Sequence, residues 1–84
     1  MSFEDIKQQD RRFLMLKALA TENDYTISDM VLKALLKDFG HTLSRDAVRS
    51  DLAWLEELGL VSAEQVAGLT IVKITPRGVD VSEG

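Results

Sequence analysis

Arg45 and Arg49 stand four positions apart in the stretch SRDAVRSDLAWLEELGL, residues 44–60. On a helix that spacing puts both guanidinium groups on one side, and each carries a planar fork of donors that fits guanine O6 and N7 or a phosphate. Ser50 and Ala53 beside them are small enough for close approach to a groove. The plainer reading is a solvated face with ordinary i, i+4 charges, and the helix taken alone favours it. Lys33 and Lys37, also four apart, pose the same choice between phosphate contacts and solvent. His41 and Thr42 lie between the two basic pairs, where either could meet a phosphate, His41 only when protonated.

Other chemistry is poorly supplied. The chain has no cysteine and a single histidine, so disulfides, thiolate sites and multi-histidine metal sites are excluded. No nucleophile–base pairing and no glycine-rich phosphate loop is present, so neither an enzyme nor a cofactor is expected. The formal net charge of −4 counts against non-specific affinity for nucleic acid. What decides the matter is how charge is distributed over the facing surface. No apolar run approaches the length of a membrane span, and the acidic, polar start MSFEDIKQQD is unlike a signal peptide. A cytoplasmic protein with no membrane association is expected, in a single domain over residues 1–84.

The elements that must position these side chains follow from local patterning. Ser2 and Asp5 form a capping-box pattern for a first helix running to about Ala20, with Ile6, Phe13, Leu16 and Ala20 on one face. Leu14, Met15 and Leu19 point elsewhere around the axis. They belong either to a central helix or to the seam of a homodimer. Tyr25, Thr26 and Ile27 favour a very short strand. Ser28 caps a second helix to about Phe39, with an inner stripe of Val31, Leu32, Leu35, Leu36 and Phe39, and Gly40 ends it. Ser44 caps the third helix and Gly59 suits its left-handed C′ position. Its inner side carries Ala47, Val48, Leu52, Leu55 and Leu58, with Trp54 at the edge as a packing or interface residue. Asp51, also toward the inner side, could bond to a backbone amide or a nearby cation. Residues 60–66 and 69–75 read as a hairpin around Ala67-Gly68, followed by a short turn capped at Thr75-Pro76. The fold class is therefore α+β, mainly α: three helices, a short strand and a C-terminal β-hairpin.

Two helices joined through Gly40 and followed by a hairpin make a helix-turn-helix with a wing. Over its whole length the chain resembles the winged helix-turn-helix family of DNA-binding domains. The likeness rests on SRDAVRSDLAWLEELGLV, on ITPRG at residues 74–78, and on the order of helix, short strand and helix before them. More narrowly, YTISDMVLKALLKDFGHTLSRDAVRSDLAWLEELGLV is similar to small ArsR-type transcriptional regulators of Mu-like prophages. The resemblance implies a transcriptional regulator that inserts residues 44–58 in the major groove of double-stranded DNA. Ser44, Arg45, Arg49 and Ser50 would then face the groove, with Lys33, Lys37, His41 and Thr42 toward the phosphates.

The sequence departs from that pattern at two places. The hairpin tip, Glu64-Gln65-Val66-Ala67-Gly68, is acidic where DNA-contacting wings carry Arg or Lys, and Asp46 sits between the arginines. The cysteine-rich metal sites of ArsR-type sensors are absent. An acidic winged-helix module that addresses a protein partner, without direct DNA binding, is therefore the alternative.

Overall fold

Each helix begins on a hydroxyl side chain that accepts from its first turn. The computed structural model describes residues 1–84. Helix α1, Phe3–Thr21, starts with a complete capping box. Ser2 Oγ accepts from the Asp5 amide at 3.1 Å and the Asp5 carboxylate accepts from the Ser2 amide at 3.2 Å. Ser28 caps α2, Asp29–Asp38, and Ser44 caps α3, Arg45–Glu57. Gly40 and Gly59, with φ of 90° and 75°, take the left-handed positions beyond α2 and α3. Thr75 caps a fourth helix, α4, Pro76–Ser82, where sequence patterning implied only a turn.

Strands β1 (Thr26–Ser28), β2 (Val61–Val66) and β3 (Leu69–Ile74) form an antiparallel sheet in the order β1-β3-β2. Val72 lies opposite Ile27 on one side and Ala63 on the other. Ala67 and Gly68 both have positive φ, 50° and 81°, the requirement of a two-residue primed turn. Thr70, Val72 and Ile74 are all buried, as their shared face requires. The α2–turn–α3 unit with its β2–β3 hairpin is a winged helix-turn-helix, braced by α1 and α4. No helix is long and apolar enough to cross a membrane.

The core draws Met15, Leu16 and Leu19 from α1, Leu32 and Leu36 from α2, and Val48, Leu52 and Leu55 from α3. The sheet and its approach add Ile27, Leu60, Val61, Val72 and Ile74. The choice left open for Leu14, Met15 and Leu19 is decided for the central helix, and two expectations are corrected. Met15 and Leu19 are each 0% exposed within one chain, so they have no surface to give to a homodimer, and Leu14 is only partly exposed. Of the α1 face expected to be inner, Ile6 and Phe13 are exposed, and only its C-terminal half, Leu16 and Ala20, reaches the core beside Met15 and Leu19. Likewise Val31 and Phe39, placed in the inner stripe of α2, are exposed, while Leu32 and Leu36 reach the core.

The ITPRG segment acts as a steric lock. The Thr75 hydroxyl lies 2.7 Å from the Gly59 carbonyl oxygen and accepts from the Gly78 amide at 3.0 Å, while the Thr75 amide donates to the Leu60 carbonyl. A Cβ at Gly78 would fall 2.1 Å from that Leu60 oxygen, so glycine is required by space. Gly78→Ala is expected to destabilise the fold by about 1–3 kcal/mol through overpacking. In urea unfolding its midpoint should fall while the slope stays unchanged.

Candidate nucleic-acid interface

The structure ties the two arginines of α3 to a carboxylate that sequence patterning does not single out. Asp29, the first residue of α2, is 0% exposed. Its Oδ2 accepts from Arg45 Nε at 3.1 Å and from Arg49 Nε at 3.2 Å, and its Oδ1 accepts from the Thr70 amide at 3.3 Å. The positive end of α2 also favours an anion there. Arg45 extends further, its Nη2 donating to the Gly68 carbonyl at the hairpin tip at 2.6 Å. One carboxylate thus joins the starts of α2 and α3 to the wing. Burial alone would raise the Asp29 pKa. The hydrogen bonds from Arg45, the Thr70 amide and Arg49 outweigh burial and lower it below the ordinary aspartate value.

The arginines are not sealed in. Their side chains remain 38% and 41% exposed, at Arg45 and Arg49 respectively. Around α3, however, Asp46, Ser50, Ala53 and Glu57 are the exposed positions furthest from buried Val48 and Leu55. Arg45 and Arg49 occupy the flank nearer the wing. The outermost strip of this helix is therefore neutral to acidic.

Lys33, Lys37 and Thr42 come together, since all three line one groove between α2 and the segment entering α3, with Met30, Ala34 and Leu43. Ser44 stands at the start of α3, its Oγ accepting from the Ala47 amide at 3.1 Å. Ser50 is exposed and makes no side-chain hydrogen bond. His41 is not brought to this surface. Its ring is 7% exposed and turns toward α1, where Nε2 lies 2.8 Å from Asp10 Oδ2.

Three consecutive residues of α1 hold the helix-turn-helix from behind. Asp10 takes His41 in the turn, while Arg11 and Arg12 both pair with Asp51 of α3, which is 1% exposed. Of the two partners open to Asp51, a backbone amide or a cation, the structure supplies the cation, and twice. Arg12 also stacks over Trp54, 3.9 Å from the ring centroid, leaving that indole partly exposed. At the other end of α3, the Glu56 carboxylate accepts from the Ala63 amide of β2 at 3.0 Å, which turns this acid toward the wing backbone.

The chain is 40% identical over 80 residues to gp26 of Escherichia phage Mu, an uncharacterized protein, covering 95% of this chain and 82% of gp26. The chain belongs to the gp26 family. An uncharacterized protein of Haemophilus influenzae extends the family, at 38% identity over 78 residues, 92% of this chain and 76% of the relative. No family model matches. Two solved structures share the fold of this gp26 relative. ZitR of Lactococcus lactis, a mutant in apo form, superposes with a TM-score of 0.70 at 19% identity, covering 90% of this chain and 54% of that one. HlyU of Vibrio cholerae gives 0.70 at 23% identity, over 99% and 91%.

Because the Asp29 pKa is lowered in the folded state, its stabilisation is present above the unfolded value of about 3.9 and is lost as pH falls through the folded value. Asp29→Asn is expected to lower stability at neutral pH and to flatten this acid limb. Denaturant titrations from pH 7 down to pH 3 should show a gap between wild type and variant that holds to about pH 4 and closes below it. A gap that stays constant over that range would contradict the assignment.

Proposed function

We propose that the chain is a DNA-binding transcriptional regulator that presents the first half of α3 to the major groove of double-stranded DNA. The observation that carries this is the gathering of Lys33, Lys37 and Thr42 in one groove beside the N-terminus of α3. The half-open guanidinium groups of Arg45 and Arg49 lie on the same helix. Phosphate contacts from the groove would set register, and contacts from α3 would read base edges. The fold supports a regulator in general terms, since ZitR and HlyU are winged-helix regulators. Kinship with gp26 of phage Mu supports a phage or prophage setting. A single module of this kind covers about 600–1,000 Å², so tight binding calls for a second copy or a partner.

A second reading is favoured by the charge of α3 itself. Asp29 cancels one of the two arginine charges, Asp46 and Glu57 lie on the outermost strip, and the wing carries Glu64. Such a surface would suit a basic protein partner, and fold alone does not choose between the two readings.

The variants that test the first reading are Lys33→Gln and Lys37→Gln, because neither lysine holds an ion pair in the structure. Removing both arginines would instead leave the buried Asp29 with only the Thr70 amide, and would confound binding with unfolding. Anisotropy titrations of mixed-sequence duplex between 50 and 200 mM salt should give a log–log slope of roughly −3 to −4, with Lys33, Lys37, Arg45 and Arg49 all against phosphates in this non-specific mode. The double glutamine variant should reduce that slope by about 2. Amide NMR shifts on DNA addition should centre on residues 41–53. Salt-insensitive or absent binding, with silent amides there, would decide for the protein partner.

A further inference from the structure

The two arginines differ in what remains free on each. A guanidinium has five N–H donors, divided between the Nε side and the terminal Nη1/Nη2 edge. Arg49 uses Nε alone, on Asp29, and its Nη1/Nη2 edge meets no protein acceptor. Arg45 uses Nε on Asp29 and Nη2 on the Gly68 carbonyl, so two of its three nitrogens are already engaged, on acceptors from two different elements. Arg49 also lies one turn further along α3. There it lines the hollow between α3 and the wing, with Ala53, Glu56, Ala63, Gln65 and Thr70.

We propose that the pair divides the work: Arg49 reads a guanine through its free terminal edge, and Arg45 is a positioning residue that latches the wing to α3. This rests on the DNA-binding reading for Arg49, whereas the latch is a property of the free protein. A bidentate guanine contact needs two parallel donors on one edge, and Arg49 keeps such an edge while Asp29 fixes the direction in which it points. Arg45 has its Nη2 anchored on Gly68, so the direction of its terminal edge is tied to the hairpin tip and not free to follow a base. Its bond fixes where the hairpin tip stands relative to the groove-facing helix, although the tip itself has no cation to offer the phosphates.

Lysine variants test the division, because Arg45→Lys and Arg49→Lys each keep a cation beside the buried carboxylate but cannot form the bidentate fork. Wild type and both variants would be used to select from a library of randomised duplexes. Affinities would then be measured on the selected site with each G·C pair exchanged, and with 7-deazaguanine, which lacks N7, replacing each guanine in turn. In wild type, one guanine should be preferred by about tenfold or more. Arg49→Lys should reduce that preference, and with it the penalty for 7-deazaguanine at the same position. Arg45→Lys should weaken every sequence by the same factor and keep the preference. Without DNA, Arg45→Lys should shift the Leu69 amide signal, which shares a peptide unit with the Gly68 carbonyl, and Arg49→Lys should leave it in place. An undiminished guanine preference in Arg49→Lys, or an unmoved Leu69 signal in Arg45→Lys, would overturn the proposal. If wild type retains no duplex at all, the DNA-binding reading falls and takes the guanine contact with it. The Leu69 signal still decides the latch.

Discussion

A carboxylate cannot stay ionised out of water unless the charge is met by partners close at hand, and Asp29 is met from three directions. Its position follows from that need. At the first turn of α2 it lies at the positive end of a helix, and the groups that reach it come from α3 and from β3. Any arrangement that slid α3 along α2, or lifted the hairpin, would strand the charge. Apolar packing brings these elements together without direction. The Asp29 cluster adds the direction, because hydrogen bonds of this length tolerate little error in angle.

Behind the helix-turn-helix a second set of polar contacts does for α1 what Asp29 does for the wing. Asp10, Arg11 and Arg12 are successive in sequence, yet they reach the turn through His41 and the middle of α3 through Asp51. Successive residues on a helix point about 100° apart, so the three together fix the rotation of α1 about its own axis. Asp51 and Asp29 lie on opposite sides of the hydrophobic seam of α3. That helix is thus held by ion pairs on both flanks and by Val48, Leu52 and Leu55 between them.

Most of the fold could be read from the sequence because its signals are local. Ser2, Ser28, Ser44 and Thr75 each start a helix within reach of their own first turn, and Gly40, Gly59 and Ala67-Gly68 each bend the chain where they stand. What escaped was set by contacts distant in sequence. Asp29 reads as an ordinary acidic residue at a helix start, and only the approach of Arg45, Arg49 and Thr70, up to 41 residues away, makes it a hub. His41 failed as a surface candidate for the same reason, its partner lying 31 residues earlier. The inner faces of α1 and α2 were partly misjudged because apolar residues outnumber the core positions. Phe13, Val31 and Phe39 satisfy helical periodicity and still remain exposed. A useful signal was present at Asp51, where an acid toward the inner side pointed to a backbone amide or a cation as its partner, and the same question asked of Asp29 leads to both, Thr70 on one oxygen and the arginines on the other.

Because Arg45 and Arg49 also hold the scaffold, α3 is divided into residues that can be exchanged and residues that cannot. Replacing either arginine alters the surface and unbalances a buried charge in the same step. Asp46, Ser50 and Ala53 are exposed and bear no side-chain bonds, so they can change with little effect on folding. Sequence change on this helix would then be channelled through these three positions, around a constant pair of arginines.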